Sequence, residues 1–284
     1  MSGKNEYLTV LESDIRGFSE ITQNMSAEDA IDMLNHYLEC MTNVLRRFNA
    51  IVLEFVGDAI IAIFNEEKHA DKAVIAAVEM QYLMIEINKW NKQKNYPEFE
   101  IGIGINTGNC YVGYIGSESR MEYSAIGSTI NLVSRIETYS TGGQILISKE
   151  CKNNITVNAE IVNSFNILPK GFKEQIEVFL ISGLGQPYNI RCGTNEEKLV
   201  VLNKPVNITF NLVENKHTSN SIHHGVIHEA SKTNAMIDTN YQLKLFDNLR
   251  INYNGIFSCK VISKSERGVL VRFTSVPTGF DGWE

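Results

Sequence analysis

The sequence predicts an α+β protein in which a ferredoxin-like βαββαβ domain is followed by a small all-β barrel. Strand and helix periods alternate over the first hundred residues. A polar, turn-rich break, containing Gly185-Gln186-Pro187 and the stretch 191–198, then interrupts this pattern. Beyond it, short β-rich runs separated by turns continue to Pro277, as is typical of a small barrel. We therefore place two domains, at residues 1–187 and 188–284.

The elements of the first domain follow from periodicity and turn signals. The predicted helices have apolar residues at spacings of three and four, and Ser26, with Asp29 three residues later, caps the first of them. Gly57-Asp58 is a hairpin signal between two β-rich runs. The predicted elements are strand 7–13, a helix from Ser26, strands 50–56 and 59–64, helix 69–90, strand 100–106, a Gly-rich stretch 102–116, helix 129–139, and strands to 184.

Composition excludes several classes of protein. Hydrophobic content of 43% and charged content of 21% are ordinary for a soluble globular protein, and no apolar run reaches the ~18 residues of a membrane helix. Five scattered cysteines without a Cys-x-x-Cys pair argue against a disulfide framework or a zinc site. A net charge of −7 gives no attraction to nucleic acid. We expect a cytoplasmic protein without a membrane segment or a nucleic-acid partner.

Two aspartates are candidates for a metal site. Asp14 ends the first strand, and Asp58 lies at the tip of the hairpin between the second and third strands. In a ferredoxin-like sheet the first strand lies between the third and fourth, so the two carboxylates can meet, and they repel each other unless a cation lies between them. Oxygen ligands favour Mg²⁺ or Mn²⁺. An alternative interpretation of each residue alone is structural: Asp14 would cap a helix, and Asp58 would be an ordinary acidic residue of a turn.

The turn that follows Asp14 is a candidate phosphate seat. It reads Ile15-Arg16-Gly17-Phe18-Ser19 and leads into a helix, so exposed backbone N–H groups would face an anion such as a triphosphate. The phosphate-binding residues predicted are Ile15, Gly17, Phe18 and Ser19. A metal site beside a phosphate-binding turn predicts phosphoryl chemistry.

Four sequence blocks resemble the successive blocks of class III adenylyl and guanylyl cyclases. They are L-E-S-D-I-R-G-F-S (11–19), E-F-V-G-D-A-I-I-A-I-F (54–64), G-I-N-T-G-N-C-Y-V-G-Y-I-G (104–116) and Y-S-A-I-G-S-T-I-N-L-V-S-R-I-E (123–137). They occur in family order and cover roughly residues 5 to 185. The resemblance implies a two-metal mechanism with two Mg²⁺ or Mn²⁺ ions per site, held by Asp14, Ile15 and Asp58.

The resemblance also implies roles for later residues. Asn131 and Arg135 match the family's N-x-x-x-R, which implies ribose orientation for Asn131 and charge stabilisation at the α-phosphate for Arg135. At i and i+4 they share one helix face. The alternatives are that Asn131 caps the helix and that Arg135 pairs with Glu137 or another acid. Lys170 resembles the family's phosphate-contacting lysine, with Lys173 as a rival.

Two family positions select the purine, and here they hold Glu54 and Ser124. Guanine presents N1–H and a 2-amino group as donors, which Glu54 can accept, and Ser124 can donate to O6. The implied function is a guanylyl cyclase that converts GTP to cyclic GMP and pyrophosphate. Adenylyl cyclase, an inactive nucleotide-binding module and diguanylate cyclase are alternatives, although the G-G-D/E-E-F motif of the last is absent. The alternative interpretation of Glu54 is a solvent-facing strand residue with no role in base selection.

The family's site is shared between two chains, and this chain carries both halves of it. In the family, the metal aspartates of one chain work with the base-selecting and N-x-x-x-R residues of the other, which implies a symmetric homodimer here. Gly108, Gly113 and Gly116 fall in the wing that would face the partner.

The segment G-V-I-H-E-A-S-K-T-N-A-M-I (225–237) resembles a degenerate PilZ domain. Glu229, Ser231 and Asn234 stand where that family has Asp, Ser and Gly, and no R-x-x-x-R precedes them. A degenerate barrel of this kind implies a regulatory or docking surface for a sensor partner.

Overall fold

The structure, a computed structural model, describes residues 3–117, 119–192, 198–214, 217–277, 280 and 282–283. Contacts divide the chain into two units. The mixed unit comprises Met1–Phe18 and Thr22–Thr194, and the barrel unit comprises Ser19–Ile21 and Asn195–Glu284.

Helices and strands of the mixed unit follow the predicted order. Ser26 caps the second helix, since its Oγ accepts from the N–H of Asp29 at 3.1 Å and donates to the Asp29 carboxylate at 2.7 Å. The elements up to residue 191 are β1 (Lys4–Ile15), α1 (Phe18–Thr22, whose middle residues Ser19–Ile21 group with the barrel unit), α2 (Ala27–Arg47), β2 (Ile51–Val56), β3 (Ala59–Phe64), α3 (His69–Gln93), β4 (Ile101–Ser117), β5 (Arg120–Ile126), α4 (Ser128–Tyr139), β6 (Ile145–Ser148), α5 (Lys149–Asn154), β7 (Ala159–Ile167), β8 (Ile176–Leu184) and β9 (Ile190–Arg191).

The sheet confirms the ferredoxin-like core. Its strand order is β2-β3-β1-β4-β6-β8-β7, so β1 lies between β3 and β4 as predicted, while β5 pairs with β4 and β9 with β8. Neighbouring side chains of β1 point to opposite faces. Ser13 lies 3.4 Å from the hydroxyl of Tyr37 on α2, whereas Glu12 accepts a hydrogen bond from Ser134 on α4. The site helix α4 therefore packs on the face opposite α2.

Strand β4 is longer than predicted because the Gly-rich stretch belongs to it. We predicted a strand over 100–106, but β4 continues to Ser117. Gly102 and Gly104 lie where other parts of the chain approach closely: a Cβ on Gly104 would be 2.6 Å from the backbone N of Glu137, and one on Gly102 would be 2.9 Å from Arg16 Nη2 and closer still to Ser140 Oγ. These glycines therefore provide room for α4 and Arg16 rather than a turn.

Replacing Gly104 with Ala is expected to destabilise the mixed unit. The new methyl group would meet the backbone of α4, which cannot rotate away as a side chain can. We expect a loss of about 2 kcal/mol, or a fall in Tm of roughly 4–8 °C. Thermal unfolding followed by circular dichroism measures it, and an unchanged Tm would show that α4 does not pack tightly here.

The barrel unit is a closed β-barrel, which confirms the predicted fold class. Strands β10, β12, β13, β16, β15 and β14 pair in that order, β14 pairs back with β10, and β11 pairs antiparallel with the end of β10. The bounds are β10 (Val200–Glu214), β11 (His217–Thr218), β12 (His223–Ala230), β13 (Asn234–Asp238), β14 (Asn248–Asn252), β15 (Ile256–Ser265) and β16 (Gly268–Ser275). Its core includes Phe210, Phe257 and Phe273.

All three PilZ-like positions make contacts inside the barrel unit. Ser231 Oγ accepts from the N–H groups of Thr233 at 3.2 Å and Asn234 at 3.0 Å, and Glu229 forms an ion pair with Arg267. The resemblance to a PilZ domain stays a prediction. Of the helices in the described part of the chain, none has both the length and the apolar content to cross a bilayer.

Candidate active site

The two predicted metal aspartates come together at the end of β1. The N–H of Ile15, the last residue of β1, donates to Asp58 Oδ2 at 3.0 Å. Strands β1 and β3 pair antiparallel, and the last paired residues are Ser13 and Ile60. The β2–β3 turn, which directly precedes β3, therefore lies beside Asp14. The hairpin tip therefore lies against the strand end, as the topology predicts.

Four acidic side chains interact electrostatically in this region. Burial, and then the charge of Asp14, raise the pKa of Asp58 to about 7. Burial also raises the pKa of Glu12, with smaller effects from Asp14 and Glu54. Mutually repelling carboxylates at a strand end are the type of oxygen donor that divalent metal sites use, and a metal site here stays a prediction.

The donor set fits Mg²⁺ or Mn²⁺ completed by substrate. Among the described residues, no group of three or more His, Cys, Asp or Glu side chains is arranged to hold a metal ion. The chain would thus offer the Asp14 and Asp58 carboxylates and the Ile15 carbonyl, with phosphate oxygens and water as the remaining ligands. Few protein ligands plus substrate phosphates are usual for Mg²⁺.

The turn after Asp14 has the conformation of a tight loop into a helix. Gly17 precedes α1 with φ of 68°, in the left-handed region that glycine adopts without a steric cost. The Ile15 amide donates to Asp58 and is not available for the predicted phosphate contact, so an anion at this turn would use the amides of Gly17 and Phe18. The phosphate-binding role of Ser19 stays a prediction. Phosphate binding here remains a prediction.

Asn131 and Arg135 lie together on the exposed face of α4. The residue preceding the helix is Gly127, so Asn131 lies inside the first turn and does not cap it. Glu137 points away from Arg135 and pairs with Arg16, so the predicted alternative of an Arg135–Glu137 pair is wrong. No carboxylate among the described residues forms an ion pair with Arg135, which leaves its guanidinium accessible to a ligand.

The loop that carries Lys170 meets the C-terminal end of α4. Tyr139, the last residue of α4, donates its hydroxyl hydrogen to the carbonyl of Leu168 at 3.0 Å. Arg135 lies one turn before Tyr139, and its charge acts on the Tyr139 hydroxyl, whose pKa burial raises. Lys170 and Lys173 are both exposed on this loop, and Lys170 keeps its predicted role as a proposal.

A β-bulge in β2 sets the direction of Glu54. Val52 pairs with Ala62 and Glu54 with Ile61, so Leu53 is the extra residue of the bulge. Ile61 also pairs with Glu12 on β1, which places Glu12 and Glu54 on the same face of the sheet, the face that α4 covers. Glu54 is exposed there.

Ser124 lies on β5, close to the same part of the sheet. It pairs with Gly113 of β4. Leu53 and Tyr123, the residues before Glu54 and Ser124, pack against one buried cluster made of Leu8, Val10, Ile61, Ile63, Cys110, Val112, Ala125 and Val133. Strands β2 and β5 thus contact one buried core. Because side chains alternate along a strand, Ser124 points to the face opposite Tyr123 and Ala125, and its pairing with Glu54 as a base-selecting residue stays a prediction.

Residues 2–183 match the family described as the adenylate and guanylate cyclase catalytic domain. The chain belongs to this family of class III nucleotide cyclases. Its fold is similar to the crystal structure of the guanylyl cyclase Cya2, with a TM-score of 0.66 and 35% identity over 68% of this chain and 100% of that solved chain. It is also similar to the adenylyl cyclase CyaB from P. aeruginosa, with a TM-score of 0.62 and 32% identity over 66% of this chain and 98% of that one.

Relatives of this cyclase are named for both purines. The adenylate cyclase of Anabaena cylindrica is 32% identical over 158 residues, which are 52% of this chain and 31% of that protein. The chain spans less than a third of the length of the curated relatives it matches. Family membership therefore establishes a class III nucleotide cyclase domain. It does not distinguish GTP from ATP as the substrate, so the preference has to be inferred from the residues of the site.

Sequence reasoning missed two charged residues of this cyclase site. The sequence pattern places Arg16 only in the turn, yet its Nη2 lies 3.2 Å from Asp14 Oδ2 and also pairs with Glu137 of α4. Glu12 was not singled out, although it follows Leu8 and Val10 at period two on an inward-facing side of β1. A carboxylate at position 12, in a series of otherwise apolar inward-facing residues, is a sequence signal that could have identified Glu12 as a candidate site residue.

Proposed function

We propose that this cyclase domain is a guanylyl cyclase that converts GTP to cyclic GMP and pyrophosphate. The observation that carries the proposal is Glu54, an exposed carboxylate turned by the β2 bulge towards the α4 face, four residues before Asp58. A carboxylate accepts from both N1–H and the 2-amino group of guanine, whereas the adenine edge offers an acceptor at N1. The Ser124 hydroxyl would donate to O6.

Each group of the site has a part in cyclisation. Asp14 and Asp58, with the Ile15 carbonyl, would hold two Mg²⁺ or Mn²⁺ ions, which activate the ribose 3′-hydroxyl and neutralise the α-phosphate when bound. Arg135 would stabilise the charge that develops on the α-phosphate, and Asn131 would orient the ribose. Lys170 and the amides of the turn after Asp14 would bind the leaving pyrophosphate.

The working form is proposed to be a homodimer with two shared sites. Large apolar side chains stand exposed along β2 and the β4–β5 wing, where a monomer would leave them in water. They are Phe55, Val56, Tyr111, Tyr114 and Ile126. In a symmetric pair, each site takes its metal aspartates from one protomer and Glu54, Ser124, Asn131 and Arg135 from the other.

The barrel unit is proposed to serve regulation rather than catalysis. The cyclase family match ends at residue 183, before the predicted boundary at 187, and the PilZ-like positions Glu229 and Ser231 are already engaged by barrel residues. We therefore propose a regulatory or docking surface for a sensor partner in residues 188–284.

The decisive experiment offers Mn²⁺ with GTP, ATP, CTP and UTP separately and identifies the products by mass. Cyclic GMP from GTP, with kcat/KM roughly ten- to a hundredfold above that for ATP, is the expected result. The similarity to CyaB and to the Anabaena enzyme favours adenylyl cyclase as the second candidate, and a preference for ATP would establish it. Nucleotide binding without any product would indicate an inactive module.

Mixing two inactive variants is expected to restore activity if the sites are shared. Asp58→Ala removes a metal ligand and Arg135→Ala removes the cation on α4, and a heterodimer of the two keeps one intact site. Random exchange would give about a quarter of the wild-type activity. Mixing Asp14→Ala with Asp58→Ala is the matched control, because every site then lacks one aspartate. Recovery in the control, or exchange without recovery in the test, would contradict the shared site.

A further inference from the structure

Arg16 connects the metal pole of the site, which is the pair Asp14 and Asp58, with α4, the helix that carries Asn131 and Arg135. Its Nη2 lies 3.2 Å from Asp14 Oδ2 and 3.3 Å from the Asp14 carbonyl, and the same nitrogen pairs with Glu137 Oε1 of α4. The side chains of Arg16 and Glu137 are only 10% and 4% exposed. One buried guanidinium therefore touches both a predicted metal ligand and α4.

The local sequence provides the space for this bridge. Gly102 pairs with Asp14, and Gly104 pairs with Glu12. A side chain at Gly102 would collide with Ser140 Oγ, at the end of α4, and with the Arg16 guanidinium, and one at Gly104 would collide with the backbone of Glu137. Beta strands rarely gain from glycine, so two glycines here indicate that close approach of Arg16 and α4 determines this part of β4.

We propose that Arg16 is a positioning residue that serves both active sites of the dimer. Within one protomer it orients Asp14 for the site built on that protomer's metal pole, and through Glu137 it fixes α4, whose Asn131 and Arg135 complete the other site. This inference rests on the proposed function, because only a shared site assigns Asp14 and α4 of one chain to different reactions.

Removing the ion pair as a unit separates positioning from charge and stability. Arg16→Met with Glu137→Leu leaves the net charge unchanged, and well-packed apolar replacements of a buried pair are often neutral for stability. We expect this double variant to keep a Tm within about 3 °C of the wild type. Mn²⁺ binding, measured by titration calorimetry without nucleotide, is expected to be about tenfold weaker, in line with other residues that orient metal ligands.

A matched control and a second variant keep the measurement decisive. Arg47→Met with Glu79→Leu removes an exposed ion pair of the same kind between α2 and α3, and it is expected to leave Mn²⁺ binding unchanged. Should the first double variant not fold, Glu137→Gln keeps the side-chain volume and leaves Arg16 paired with Asp14 alone. Weaker Mn²⁺ binding is expected there too, and wild-type binding in the folded variant would overturn the proposal.

Mixed dimers test whether Arg16 acts on both sites. The parent mixture, Asp58→Ala with Arg135→Ala, has one intact site, and its recovery tests the proposed function independently. In that intact site the Arg135→Ala chain supplies the metal aspartates and the Asp58→Ala chain supplies α4. Adding Arg16→Met with Glu137→Leu to the Arg135→Ala chain therefore alters the metal pole, and adding the same two changes to the Asp58→Ala chain alters the α4 half. We expect a raised Mn²⁺ requirement in the first case and a lowered kcat at unchanged Mn²⁺ requirement in the second. If the parent mixture recovers and either addition has no effect, Arg16 does not serve both sites.

Discussion

Replacing Asp58 with Asn should abolish cyclisation while making the metal-free protein more stable. The activity loss is expected to be at least about 10³-fold, since the site has two carboxylates to hold its cations and loses one. The gain in stability arises because Asp58 is partly buried beside Asp14, which together raise its pKa to about 7. Asparagine keeps an oxygen that can accept the Ile15 amide and carries no charge.

The stability difference should depend on pH. A carboxyl group whose pKa is raised on folding stabilises the fold below its unfolded pKa, near 4, and this contribution is lost as the pH rises through about 7. Metal-free wild type should therefore be less stable than Asp58→Asn at pH 8, by about 1–2 kcal/mol after solvent screening is allowed for, and similar to it at pH 4. Removing metal with a chelator and measuring Tm across this range tests the expectation.

Metal should reverse the order of the two proteins. Added Mn²⁺ is expected to raise the Tm of the wild type and to leave that of Asp58→Asn nearly unchanged, because binding to the native state stabilises it. Asp238→Asn, which removes an exposed carboxylate in the barrel unit, is the control and should respond as the wild type does. An equal Mn²⁺ response in wild type and Asp58→Asn would remove Asp58 from the metal site.

Local patterns predicted the elements that position Asp14 and Asp58. Period-two and period-3.6 hydrophobicity with the Gly57-Asp58 turn is enough to place a strand end beside a hairpin tip, and the structure has that arrangement. The N-x-x-x-R spacing likewise predicts that Asn131 and Arg135 share a helix face, as they do in α4. These features depend on residues close in sequence and on one common sheet topology.

The remaining features depend on contacts between distant segments. The direction of Glu54 follows from the bulge at Leu53, which exists only in the pairing of β2 with β3. The length of β4 runs against the low strand propensity of its glycines and is explained by packing against α4. The Arg16–Glu137 pair joins segments that are far apart in the sequence, and no local pattern predicts it.

Reversing the polarity of the base-selecting pair should change the preferred substrate. Glu54→Lys with Ser124→Asp is expected to shift the ratio of kcat/KM for GTP to that for ATP by about 10²–10⁴ towards ATP, since each buried mismatch costs about 1–3 kcal/mol. The introduced ammonium would donate to adenine N1 and would oppose the N1–H of guanine. The carboxylate at position 124 would accept the adenine amino group.

The environment of Glu54 makes this exchange structurally tolerable. Burial raises the pKa of Glu12, and the charge of the exposed Glu54 adds a smaller increase, so a lysine at position 54 replaces repulsion on that face with attraction. The single change Glu54→Lys should cripple GTP use without creating efficient ATP use, because Ser124 alone must then accept the adenine amino group. Glu98→Lys makes the same change of charge at another exposed position and should leave the preference as it is. If Glu54→Lys retains the GTP preference, or the wild type prefers ATP, then Glu54 does not read the base and the guanylyl proposal falls.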